Sequence, residues 1–209
     1  MISPRLARSL VALLVLSSAS VVAAAPPRLP IVSARDRALG TTVTVRGTVT
    51  VPTNAFDSGF AVQQGNAGIY ILDSGDAVRT VGEVVEITGE LVDSFSQLAI
   101  APSSIRALGR ERHIEPRTKR TGAVGEATEG RLLALEGQMV GDLIDDGVFG
   151  FKLFIDDGSG PIQIFLFPGT GISPAGLEEG VTVSVTCFST QFEIFDECAP
   201  RSPADLEIY

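Results

Sequence analysis

Histidine is nearly missing from this 209-residue chain, with His113 the sole example. A Ser-His-Asp arrangement would have to use it, yet it lies in a basic stretch flanked by Arg112 and Glu115 that reads as a solvated connector. Cysteine is scarce too: there are two, without a C-x-x-C, so neither a zinc site nor a dithiol redox site has its usual spacing. No Gly-rich phosphate loop, H-E-x-x-H or Walker signature is present. Beyond residue 25 no apolar run approaches the roughly 20 residues that a membrane helix needs. Long low-complexity runs are absent, and with 44% apolar and 20% charged residues wholesale disorder is excluded.

Basic residues are thin where they would matter most. Residues 122–209 carry 3 basic and 15 acidic side chains, residues 26–109 carry 6 and 8, and residues 110–121 carry 5 and 2. The second half would repel a phosphate backbone over a Debye length, which argues against non-specific nucleic-acid binding and leaves room for a local site.

Residues 1–25 have the form of a secretory signal peptide. Arg5 and Arg8 supply the positive end, Leu10 to Val22 the apolar stretch, and Ala23-Ala24-Ala25 a cleavage site before Pro26. The rival reading is an uncleaved N-terminal anchor. Export to the periplasm or the medium places Cys187 and Cys198 in an oxidising compartment, in one apparent hairpin, so a disulfide is expected over two free thiols.

The remainder is rich in Val, Ile, Thr and Phe in short runs broken by Gly, Asp, Asn and Pro, the pattern of an all-β protein. It also repeats. Residues 43–49 (VTVRGTV) match 133–139 (LALEGQM), with Gly47 and Gly137 in one slot where a small barrel is expected to bend its first strand. Residues 60–71 and 151–164 each read as strand, turn, strand; residues 82–89 match 180–187. The last strands are expected at 97–100 and 192–195, and Ala101-Pro102 corresponds to Ala199-Pro200. Short helical lead-ins are expected over 31–39 and 122–130. The order implies two five-stranded Greek-key barrels in tandem, over 26–109 and 122–209, joined by a basic linker at 110–121.

These residues resemble OB-fold modules of exported or extracytoplasmic bacterial proteins, such as ectodomains of some sensor kinases and modules attached to secreted nucleases. The resemblance rests on residues 45–49 (VRGTV), 60–63 (FAVQ), 68–71 (GIYI) and 82–89 (GEVVEITG), and on the 114–117 linker leading to 132–137. Two features depart from it. Gln64 stands where such modules usually carry an acidic residue, and the second half has Phe154-Ile155-Asp156-Asp157 in place of the Val-Gln pair. No kinase, nuclease or membrane segment follows the repeat, so the module is expected to act alone or through a partner.

Candidate ligand residues follow from alternation. If Ile162, Ile164 and Leu166 face the core of the second barrel, Gln163, Phe165 and Phe167 face outward, and Phe154 points opposite to Phe151, Leu153 and Ile155. Such phenylalanines sit on the face that OB-folds use for ligands, or else pack against the other barrel or a partner. In the first half the outward positions are Arg46, Gln63 and Tyr70, a small polar site or an ordinary barrel surface. The pairs Asp145-Asp146-Gly147 and Asp156-Asp157-Gly158 fit β-turns better than a metal site or a glycosidase dyad. Neither a metal nor a cofactor is expected. The sequence thus points to a non-enzymatic envelope module for a protein or small molecule. Its rivals are single-stranded nucleic-acid binding and, more remotely, a hydrolase built on the aspartate pairs.

Overall fold

The computed structural model describes residues 26–73, 75, 77–111 and 113–209. The expected signal peptide lies outside the described residues. The first half starts with a two-residue strand β1 (Arg28–Leu29) and a helix α1 (Ile31–Arg35). Then come β2 (Thr42–Val51), β3 (Phe60–Gln64), β4 (Ala67–Ile71), β5 (Glu83–Ser94) and β6 (Gln97–Glu111). The second half comprises β7 (Arg117–Thr118), β8 (Leu132–Asp145), β9 (Phe151–Asp156), β10 (Ile162–Leu166), β11 (Thr182–Phe192), β12 (Phe195–Ala199) and β13 (Leu206–Ile208). No helix among the described residues is long and apolar enough to cross a membrane.

Alternation drives both barrels. Val43, Val45 and Val49 of β2 point into a core shared with Phe60, Val62, Ile69, Ile87 and Ile100. Leu133, Leu135, Met139, Ile155, Ile164 and Val185 do the same in the second half. In each half the first long strand pairs antiparallel with the second and the fourth, and the third closes in parallel against the fifth. That single parallel closure makes a five-stranded OB-type barrel with no free edge. Helix α1 adds Ile31 and Ala34 to the first core.

The ladders fix the repeat residue by residue. Tyr70 opposes Ala99 across the first parallel closure, and Gln163 opposes Glu197 across the second. The Ala-Pro pairs coincide on this register, so the last strand of the second half is Phe195–Ala199 and residues 192–195 are instead the hairpin turn. Glu193 adopts φ +54° there, ending the run of alternating residues. The first-half strand begins at Gln97 as expected but runs on to Glu111, into the stretch read as linker.

The helical lead-ins are short. Only Ile31–Arg35 is α-helix, and the second is reduced to 3-10 turns at Thr121–Ala123 and Glu126–Thr128, between Gly122, Gly125 and Gly130. Glycine is a poor helix former, which accounts for the difference. Gly47 and Gly137 do not mark the irregularity of their strands, which lies further on, between Val49 and Val51 and between Val140 and Ile144. They permit close approach instead: a Cβ on Gly47 would lie 2.8 Å from the Val62 Cβ, and one on Gly137 2.9 Å from the Asp156 carbonyl carbon.

The barrels pack on one another through a third core, in which Phe188 of β11 meets Val51, Ala55, Ala61, Tyr70 and Ala99 of the first barrel. Gly68 and Gly130 touch backbone to backbone at this contact. Beside them the Arg35 guanidinium donates to the Gly68 carbonyl (3.1 Å) and to Glu129 Oε1 (2.8 Å). Arg201 reaches back to the Thr50 carbonyl (2.8 Å).

Candidate functional site

Between the barrels lies a cleft of about 670 Å³. Each barrel contributes the loop after its first long strand, the tip of its fourth-to-fifth hairpin and its third and fifth strands. The loops after the first strand and between the fourth and fifth strands are ones with which OB-folds commonly hold ligands, here turned toward a shared space. The first barrel supplies Phe56, Asp57, Tyr70, Phe95 and Gln97; the second supplies Asp146, Phe149, Lys152, Phe165, Phe167, Phe188, Phe192 and Glu197.

Eight of the lining residues are aromatic, and they touch across the boundary. Phe56 lies 4.8 Å from Phe167 and 6.2 Å from Phe188, Tyr70 lies 5.9 Å from Phe188, and Phe165 lies 4.4 Å from Phe167, centroid to centroid. At the mouth Phe95 stacks on Phe192 at 5.2 Å, and the Glu193 N–H donates to the Phe95 carbonyl. Tilted pairs at these separations are favourable beyond the area that they bury. The rim leaves Phe95 and Phe149 about two-thirds exposed.

The other eight lining residues are polar. The Tyr70 hydroxyl donates to Asp57 Oδ1 at 2.5 Å, and the Gly59 N–H donates to the same oxygen at 2.6 Å. Burial, reinforced by that carboxylate, pushes the Tyr70 phenol far above its ordinary range, so it stays a donor. Opposite, the Gln163 amide donates to Glu197 Oε1. Burial raises the Glu197 carboxyl to about 7, with Lys152 opposing the shift and Asp146 adding to it. Lys152 pairs with Asp146 at 2.9 Å and lies 5.5 Å from the Phe165 ring centroid. Neither Asp57 nor Glu197 has an ion-pair partner among the described residues.

The seven residues singled out from the sequence do not form one site. Tyr70, Phe165 and Phe167 line the cleft, Phe165 almost wholly buried and Phe167 half-buried. All three point away from their own barrel's core, as alternation requires; Tyr70 meets Phe188 and Phe167 meets Phe56 across the boundary, while Phe165 packs on Phe167 within its own barrel. Gln163 holds Glu197 from behind. Gln63 is buried at the barrel contact, where its Oε1 accepts from the Leu132 N–H at 2.9 Å and its amide donates to the Gly65 carbonyl. Arg46 lies opposite Glu86 in the β2–β5 ladder, on a charged surface where Glu86 also meets Arg106 (2.7 Å) and Arg28 (3.9 Å). Phe154 is half-buried between Val140 and Gln163 in its ladders.

The aspartate pairs form turns. Asp145 and Asp156 each accept from the N–H two residues on, at Gly147 (φ +64°) and Gly158 (φ +90°). Among the described residues no cluster of three or more His, Cys, Asp or Glu side chains could hold a metal ion. Cys187 and Cys198 are joined, Cα to Cα 5.4 Å apart, inside the second core.

Sequence reasoning passed over Phe188 and Glu197. Phe188 had a signal: with Val183, Val185 and Cys187 inward, it must point outward. Glu197 was hidden by the misplaced last strand.

No protein-family model and no curated protein matches this chain. Among solved structures, the hypothetical protein ygiW from E. coli is 23% identical, with a TM-score of 0.34, covering 41% of this chain and 98% of its own. A murine DNA-binding protein solved with double-stranded DNA is 14% identical, with a TM-score of 0.40, covering 79% and 94%. A replication protein A heterotrimer bound to single-stranded DNA is 11% identical, with a TM-score of 0.32, covering 83% and 50%.

Proposed function

We propose that this chain is an exported, non-enzymatic binding module whose site is the cleft between its barrels, and that the ligand is a small molecule with an aromatic or apolar body. The observation that carries the reading is the wall of aromatic side chains contributed by both barrels to one space of about 670 Å³, a size and character usual for small-ligand sites. The sequence of residues 1–25 and the Cys187–Cys198 bond suit an oxidising compartment. Polyanions fit the cleft poorly, because phosphates would meet Asp57 and Glu197.

The test is ligand-observed NMR of protein purified from cells expressing the full chain, against a set of aromatic fragments. Binders are expected, with loss of binding in Phe165→Ala and Phe167→Ala variants that keep their circular dichroism. A set that yields no binder at millimolar concentration overturns the reading. A parallel anisotropy titration with labelled single-stranded DNA at low salt, where electrostatics is most generous, is expected to show no binding.

A further inference from the structure

The charge of the cleft is lopsided. Three lining carboxylates, Asp57, Asp146 and Glu197, face a single ammonium, Lys152. Lys152 is already taken up by Asp146 at 2.9 Å. Asp57 comes from the first barrel and Glu197 from the second, and each is held in place by a neutral donor, Tyr70 or Gln163, that leaves its charge uncompensated. Around them the rings of Phe56, Phe165, Phe167 and Phe188 line the same space, and the faces of such rings are their electron-rich part. Ring faces attract cations, and the attraction grows when the cation is desolvated. Among the described residues one such contact is already present, Lys152 beside Phe165.

From these two features together we infer that the cleft selects aromatic ammonium ions: the apolar body packs among the phenylalanines and the ammonium group sits between the Asp57 and Glu197 carboxylates. This rests on the reading of the cleft as the ligand site. The strongly acidic second half adds long-range attraction for such a ligand and repels its anionic analogues. The groups that face Glu197 are Lys152 of β9, Asp146 of the preceding loop, Gln163 of β10 and Thr190 of β11. An ammonium ion entering this setting favours the ionised carboxylate, so its binding should release a proton and strengthen as the pH rises from 6 to 8.

The experiment uses three probes of one shape, 1-naphthylmethylamine, 1-naphthalenemethanol and 1-naphthylacetic acid, titrated into protein from the full chain by calorimetry at pH 6 and pH 8. The amine is expected to bind roughly tenfold more tightly than the alcohol, and the acid most weakly. Only the amine should gain affinity at the higher pH. Glu197→Gln should abolish that pH dependence and most of the preference for the amine. Lys152→Gln should sharpen the preference. If the alcohol and the amine bind equally, with both lost in Phe165→Ala, the charge inference falls and the cleft remains the ligand site. If no probe binds, or if Phe165→Ala binds all three unchanged, both readings fall.

Discussion

Tyr70 and Gln163 occupy the same position in the two barrels, on the third strand and opposite the fifth across the parallel closure, and each donates a hydrogen bond to a carboxylate on a wall of one cleft. The tyrosine holds Asp57 from its own barrel's loop; the glutamine holds Glu197, whose counterpart beside Tyr70 is Ala99. The two barrels present equivalent faces that carry different residues at equivalent points. The pseudo-symmetric cleft thus has one exposed carboxylate, Asp57, and one buried carboxylate, Glu197.

The buried one gives stability a pH dependence. In the folded chain Glu197 titrates near 7 because of its burial, against an ordinary glutamate of 4.5. Below the ordinary value both states are protonated and the residue is neutral in effect. As the pH climbs from there through about 7, the unfolded chain ionises first and the folded state loses stability, by up to about 3 kcal/mol. Glu197→Gln keeps an acceptor for Gln163 and removes the titration. Melting temperatures of the two proteins should agree at pH 4, then diverge with the variant the more stable, and the gap should level off above pH 8. A constant gap across the range would show that Glu197 does not titrate there.

A second expectation concerns how the barrels are held. A Cβ on Gly68 would lie 1.6 Å from the Gly130 carbonyl oxygen, so no side-chain adjustment accommodates it and the barrels must separate locally. Gly68→Ala should therefore enlarge the radius of gyration measured by small-angle scattering, expose the 110–121 stretch to proteolysis and abolish binding in the cleft. Far-ultraviolet circular dichroism should be retained, since within its own barrel that Cβ meets the Val62 carbonyl oxygen at 3.2 Å, which needs a shift of only a few tenths of an ångström. An unchanged scattering profile would mean that the contact is not what sets the arrangement.

The disulfide marks another divergence between the halves. Val43 opposes Gly89 in the first barrel, and Leu133, its counterpart, opposes Cys187 in the second. Where the second core has the Cys187–Cys198 bond, the first has Gly89 packed against Ile100, 2.6 Å from where a Cβ would lie. The bond closes a loop spanning 11 positions, for which loop entropy gives about 2–3 kcal/mol. Reduction should lower the urea midpoint by that equivalent. Hydrogen exchange should speed up in β11 and β12 and stay as before in β5 and β6.

Strand alternation carried most of what the sequence disclosed. It placed Phe165 and Phe167 outside the barrel core and made the two halves commensurate. It failed at Glu193, where a non-glycine residue at positive φ turns the chain without a Gly or Asn to announce it. Placing the last strand on that turn, over 192–195, left Glu197 out of the barrel and out of view. The cleft was hidden for a different reason. Phe56 and Phe167 are 111 positions apart and meet only because Gly68 and Gly130 let two backbones touch. Facing surfaces of this kind obey no periodicity within either half.

Gln97 sits at the start of β6, 8% exposed, lines the cleft, and keeps its amide nitrogen buried without a hydrogen-bond partner. An unsatisfied buried donor costs about 1–3 kcal/mol. Its neighbours Leu98 and Ala99 show that the strand accepts apolar residues at this point. Gln97→Met, which keeps the length of the side chain and removes the donor, should raise the unfolding free energy by about 1 kcal/mol. The gain should appear as a higher urea midpoint at unchanged slope. A stabilising substitution that weakens naphthylmethylamine binding would identify Gln97 as a residue kept for the ligand at the expense of the fold, the usual trade at binding sites. A substitution that lowers stability instead would mean that the amide is satisfied in solution, and Gln97 would then belong to the scaffold of the cleft.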